Sequence, residues 1–193
     1  MGKTLDAIFG RASRQTSKLK ALLELCVARI AVLGNQHRIR CSQARGDILQ
    51  LLKLGYRDRA LARAEQAIKE QNLLDVFVMI EGYCHLLTEK ATLLEHQNEC
   101  PAELREAISS LIFAASRSGE LPELQDIRRM FAEMFGREFA SAIVELHGDY
   151  CHVNQKMIQN LSKKQTKLET KLMVIMEIAE KEGIEVDLEG LHF

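Results

Sequence analysis

The stretch KLKALLELCVARIAVLGNQHRIRCSQARGDILQLLKLG, residues 18–55, decides the fold. Its apolar stripe runs Leu19, Leu22, Cys26, Ile30, Leu33, His37, Cys41, Ala44, Ile48 and Leu51. Every step is three or four residues, which sets these side chains along one face of a helix. No proline interrupts residues 1–100, so nothing in the chain forbids a very long helix. The stripe stops at Leu54-Gly55, where glycine takes the left-handed cap conformation without a Cβ penalty.

Beyond that glycine a second stripe starts near Leu61, Ala64 and Ile68. After a shift in phase it continues as Phe77, Ile80, Cys84, Leu87, Ala91 and Leu94. Asp75-Val76-Phe77-Val78-Met79-Ile80 has β-propensity, but it lies inside the helical period without flanking turn residues and reads as helix. Two helices of roughly 35–45 residues joined at one glycine must fold back on each other, or neither stripe is covered. At about 1.5 Å per residue such a hairpin is a rod roughly 55–65 Å long. On the amino-terminal side, residues 1–14 read as a flexible or amphipathic lead-in, with Leu5, Ile8 and Phe9 on one face and Lys3, Arg11 and Arg14 nearby.

Shorter helices follow, with legible punctuation. Pro101 opens one that Gly119 closes, and Pro122 opens the next, closed by Gly136. Arg137 to about Leu146 forms a third, ended by Gly148, and Asn154 caps a fourth. Thr166-Lys167-Leu168-Glu169 reads as a capping box opening a last helix that stops at Gly183. The expected fold is all-α: a long antiparallel helical hairpin (about 15–97) with several shorter helices (about 101–183) packed at one end, then a tail, 184–193.

Of the 193 residues 47% are apolar, 27% charged and 5% aromatic, which suits a buried core and excludes a disordered or low-complexity chain. No run approaches the roughly 18 apolar residues of a membrane-spanning helix. Five dispersed cysteines fit buried thiols in a reducing compartment better than a disulfide framework. The amino terminus lacks the pattern of a secretory signal, and Asp6 stands where myristoylation wants Ser or Thr. Charge is polarised along the chain. Residues 1–70 carry 14 Lys and Arg against 6 Asp and Glu, whereas residues 71–193 carry 12 against 21. The basic half can face an anionic surface and the acidic half a basic partner or another copy, or each patch is simply a solvated helix face.

No catalytic constellation emerges, and no cofactor or metal is expected. Gly2-Lys3-Thr4 lacks the upstream glycine and strand of a phosphate-binding loop. His147 with Cys151, and His96 with Cys100, have ligand spacing, but nothing in the sequence joins the two pairs into a zinc site. His37 reads as a core histidine. Arg11, Lys18, Arg29 and Arg40, separated by 7, 11 and 11 residues, form one row beside the apolar stripe, flanked by Lys20, Arg38 and Arg45. Such a row either buries its stems against the partner helix or forms a cationic edge for assembly or an anionic membrane. Nucleic acid is not the expected target, because no zinc finger or aromatic stacking set accompanies the charge. Gly82, inside the second helix, either admits a close contact with another helix or is merely tolerated.

Several segments resemble the increased-sodium-tolerance family, ESCRT-III-like regulators of multivesicular-body sorting, and are nearest in wording to its plant members. These are Arg40-Cys41-Ser42-Gln43-Ala44-Arg45 through Leu51-Leu52, the run Ala60 to Glu70, Glu81-Gly82-Tyr83-Cys84-His85-Leu86-Leu87, Ala107 to Arg117, and Pro122-Glu123-Leu124. Gly82 stands where other members have leucine. The resemblance implies a non-enzymatic assembly subunit, cytoplasmic and peripherally associated with endosomes. It binds type-one charged multivesicular body proteins, forms homo- or co-polymers and modulates the AAA ATPase that disassembles them. By carry-over, Glu81, Tyr83 and Cys84 are the expected partner contacts and the basic hairpin the assembly or membrane contact. The chain stops at Phe193 without the long tail in which members carry motifs for the ATPase's microtubule-interacting-and-trafficking domain, which leaves direct recruitment of the ATPase, a further partner the resemblance implies, an open alternative. The alternative is a soluble helical adaptor that recognises partner helices without touching lipid.

Overall fold

The computed structural model describes residues 2–95, 97–148 and 152–185, with side chains from residue 14 onward. The elements are α1 (Gly2–Lys53), α2 (Arg57–Glu89), short 3₁₀ turns at Ala91–Leu94 and Ala102–Leu104, α3 (Arg105–Ala115), α4 (Pro122–Phe135), α5 (Arg137–Glu145), α6 (Gln155–Asn160) and α7 (Leu168–Lys181). No strand occurs among the described residues. The amphipathic lead-in side chains, Arg11 among them, and His96 and Cys151 lie outside the described side chains.

The long hairpin of α1 and α2 forms as its two stripes require. The turn is a Schellman closure: Gly55, at φ 78°, donates to the Leu52 carbonyl at 3.0 Å, and the Tyr56 amide reaches Leu51 at 2.9 Å. The chain divides into two compact units, Met1–Val32 with Val76–Leu161, and Leu33–Asp75 with Ser162–Phe193.

The first unit is built around α3. Ala107 to Ala115 are all buried, the mark of a helix covered on every side. Leu124, Ile127 and Phe131 of α4, Ile143 of α5 and Met157 of α6 are completely buried in this unit. So are Leu23 and Cys26 of α1 and Ile80, Cys84 and Leu87 of α2. The second unit packs small residues of the hairpin, Ala44, Ala60, Ala64 and Ala67, with Ile48 against Ile175 and Ile178 of α7. Alanine at these positions lets helix axes approach closely. The shorter helices are therefore shared out: α3 to α6 belong to the first unit and α7 to the second.

Several boundaries differ from the sequence reading. Helix α2 stops at Glu89, yet Ala91 and Leu94 stay buried because a 3₁₀ turn carries the stripe onward. After Pro101 a 3₁₀ turn precedes α3, which ends at Ala115, short of Gly119; there the Ser116 hydroxyl donates to the Phe113 carbonyl at 2.7 Å. Helix α5 ends at Glu145, within a residue of the expected Leu146, but it is Leu146 rather than Gly148 that closes it in the left-handed conformation, φ 57°. Its closure matches that after α1: Leu146 donates to Ile143 at 3.1 Å and His147 to Ala142 at 2.9 Å. Thr166 caps nothing in α7, whose N-cap is Lys167 without a side-chain hydrogen bond. Glu169 instead lies in the first turn, where its charge meets the positive helix end. Asn154 does cap α6, its Oδ1 accepting from the Lys156 and Met157 amides at 3.0 and 3.3 Å.

Candidate functional site

The first unit carries a groove of about 750 Å³ between the segment leading into α3 and the α4–α5 corner. Cys100, Phe135, Phe139 and Ala142 supply its apolar lining, and Arg105, Arg137, Glu99 and Glu138 supply charge of both signs. Gly136, at φ 100°, turns the chain between the two helices so that both flanking phenylalanines reach the groove. Phe135 and Phe139 meet edge to face at 5.8 Å, and Phe135 stacks on Phe131 at 6.3 Å. Burial pushes the Cys100 thiol up to about 11, so this wall stays a neutral, apolar surface at ordinary pH. A helix about 10 Å across fills this volume over roughly two turns. Hydrophobic anchors and a rim of mixed charge are what an amphipathic helix needs from a groove.

In the same unit Tyr83 heads a polar cluster. Its hydroxyl donates to Glu106 Oε1 at 2.6 Å, Asn154 Nδ2 donates to the same oxygen at 3.4 Å, and the Asn154 amide reaches Ser110 Oγ at 3.0 Å. Partial burial, and then the Glu106 carboxylate, raise the phenol above its ordinary range. Glu81 is half-buried, and His85 beside it is exposed. Cys84 is wholly inside, against Cys26, and this thiol neighbour together with burial drives its ionisation up. Cys84 therefore packs the helix behind Tyr83 and offers nothing to a surface partner in this arrangement. Gly82 is exposed with open space where a Cβ would stand, so within the described residues no neighbour approaches it.

The basic row separates in its surroundings. Lys18 and Arg40 are exposed. Arg29 is committed: its Nε donates to both oxygens of Glu123 at 2.7 and 2.8 Å, and that carboxylate, in the first turn of α4, is buried. In the second unit His37 lies in the core as the sequence indicates, with Nδ1 2.6 Å from Glu70 Oε2, while Gln66 donates to Glu70 Oε1 at 2.6 Å. Among the described residues no three His, Cys, Asp or Glu side chains converge on a point that could hold a metal ion. No helix among them is long and apolar enough to cross a membrane. The groove itself escaped the sequence reading. The available signal was the series Phe131, Phe135, Phe139 at steps of four across Gly136, which looks like core until the corner exposes its end.

These features define a helical scaffold whose distinctive parts are surfaces and a helix-sized groove. The chain belongs to the Ist1 family, "Regulator of Vps4 activity in the MVB pathway", which it matches over residues 20–185. It is 28% identical to an IST1-like protein of Dictyostelium discoideum over 175 residues, 90% of this chain and 46% of that protein. It is 27% identical to the vacuolar protein sorting-associated protein IST1 of Saccharomyces cerevisiae over 175 residues, 85% of this chain and 57% of that protein. The chain thus spans about half the length of the curated relatives it matches. The crystal structure of the S. cerevisiae Ist1 N-terminal domain, in complex with the Did2 MIM motif, shares the fold. Its TM-score is 0.79 at 24% identity, covering 92% of this chain and 97% of that one.

Proposed function

We propose that this chain acts without catalysis, as an ESCRT-III-like subunit that regulates Vps4 in multivesicular-body sorting at endosomes. Its direct partners are type-one charged multivesicular body proteins. The observation that carries the reading is the family match across residues 20–185. The groove at Phe135 and Phe139 supports it by offering a seat for a partner's helix, and the yeast relative's N-terminal domain forms a complex with the Did2 MIM motif. Glu81 and Tyr83 belong to the same unit and are proposed as further partner contacts, with Cys84 as packing behind them. Arg11, Lys18 and Arg40 are proposed as the cationic edge that serves assembly or an anionic membrane, with Arg29 contributing through its hold on α4.

A fluorescently labelled peptide carrying the MIM motif of a type-one charged multivesicular body protein tests the groove by anisotropy. Phe139→Asp is expected to weaken capture at least tenfold, about 1.4 kcal/mol, while the thermal midpoint holds. Capture by the variant at wild-type affinity refutes the groove assignment, and failure of the wild-type chain to bind any such peptide refutes the partner class.

A further inference from the structure

A second crevice in the first unit, of about 320 Å³, lies between α4 and α5 and has only Arg137 in common with the groove. Its charge is of one sign. Arg128 and Arg129 of α4 and Arg137 at the start of α5 line it, small residues (Ala132, Ala140 and Ser141) keep it open, and among the described residues no carboxylate lines it. The side-chain amide of Gln125, also at its wall, is committed to the Ala115 carbonyl. Arg129 pairs with Asp126, one turn earlier on α4. Among the described residues the guanidinium groups of Arg128 and Arg137 enter no ion pair or hydrogen bond. Gly136 gives α5 no side-chain cap, so the positive end of that helix adds to the same potential. Residues 71–193 hold 12 Lys and Arg against 21 Asp and Glu, so this cationic crevice stands in the acidic part of the chain.

We propose that this crevice binds a phosphorylated serine or threonine of a partner segment, with Arg128 and Arg137 clasping the phosphate and Arg129 at its side. Three guanidinium charges less the Asp126 carboxylate leave two positive charges unbalanced. A phosphate monoester carries about −1.5 to −2 near neutral pH and matches them; a single carboxylate falls short and a polyphosphorylated ring overshoots. Its terminal oxygens accept the paired N–H donors of planar guanidinium groups, and the exposed Ser141 hydroxyl is a further donor. Lipid is the poorer carrier of that phosphate. Among the described residues none of the large apolar side chains left exposed belongs to α4 or α5, so no anchor for a bilayer stands beside the crevice. A peptide is the better one, because Arg137 lines both openings and a segment leaving the groove over this residue enters the crevice. The choice of carrier rests on the groove reading of the proposed function; the anion chemistry of the crevice does not.

The test has two arms on the full chain at low salt. In the first, N-acetyl-phosphoserine amide is titrated into the isotope-labelled protein and amide shifts are followed by NMR, with N-acetyl-serine amide as control. Saturable shifts at Arg137, Ala140 and Ser141 are expected from the phosphorylated probe alone. Arg128→Gln/Arg129→Gln should weaken them about tenfold or more with an unchanged melting temperature, because glutamine is a good helix former and neither side chain is buried. In the second arm, the labelled MIM peptide is extended at either end by a short Gly-Ser linker and a phosphoserine. One of the two extended peptides should bind about tenfold tighter than its unphosphorylated twin, by tethering, and the double variant, whose changes lie outside the groove, should erase that gain while still capturing the twin. Absent shifts, equal shifts from the unphosphorylated probe, or wild-type binding by the double variant overturn the proposal. Shifts without a gain at either peptide end overturn the peptide carrier, and capture of phosphatidylinositol 3-phosphate vesicles that the double variant loses then assigns the crevice to lipid. Shifts with no binding of any peptide remove the groove reading and leave the crevice standing.

Discussion

Replacing Arg29 with alanine tests whether the basic row is edge or clamp. In the folded chain Arg29 Nε bonds both Glu123 oxygens at 2.7 and 2.8 Å, with the arginine side chain 46% exposed and the glutamate 10%. Hydrogen bonds to charged groups contribute about 1.5–3 kcal/mol, whereas breaking a fully buried ion pair costs about 3–5 kcal/mol. Water reaching the arginine side keeps this case in the lower range. The α4 N-terminus also holds Glu123, by about 0.3–1 kcal/mol, and continues to do so in the variant. The expected loss is therefore about 2 kcal/mol, which lowers the melting temperature by roughly 4–8 °C in a chain of this size. Urea unfolding of Arg29→Ala, Glu123→Gln and the double variant isolates the pair through the cycle, with an expected coupling of about 1–2 kcal/mol. A coupling below about 0.5 kcal/mol, the level of an ordinary exposed ion pair, would refute the clamp. The result also governs how assembly data are read, because charge reversal at a clamping Arg29 weakens assembly by loosening α4.

Other expectations follow from single residues. Leu146 occupies a left-handed position at φ 57°, so Leu146→Gly should stabilise the chain by about 1 kcal/mol in urea unfolding; a destabilised variant would mean that its side-chain packing outweighs the backbone relief. Gly82 is exposed in mid-helix with open space around its Cβ position, so Gly82→Ala should add about 0.5–1 kcal/mol and leave peptide capture unchanged. Loss of capture in that variant would instead mark a helix contact there. Burial raises the Cys100 thiol from 9.0 to about 11. The unfolded thiol ionises first, the folded state holds more protons between those values, and stability is expected to fall as pH rises through that window. Cys100→Ser should flatten the decline in a urea-midpoint series; an identical slope would remove Cys100 from the cause.

The hairpin was legible in the chain because a buried stripe must repeat at three and four residues, and because Gly55 alone could close the turn between two such stripes. The same logic placed Pro122, Gly136, Asn154 and Gly183 at or beside helix ends, since backbone restrictions act locally. Local signals also misled: Leu146 takes the position Gly148 seemed made for, and Thr166 stands one residue too early to cap α7. What only the tertiary structure decided is which side chains face one another across distant segments. Arg29 found Glu123 94 positions away, Tyr83 found Glu106, and Cys84 disappeared against Cys26. The aromatic series ending at Phe139 became a groove only when Gly136 turned the corner. Periodicity is carried by neighbours in the chain, whereas partnership depends on how whole helices pack, and no spacing rule within one helix encodes that.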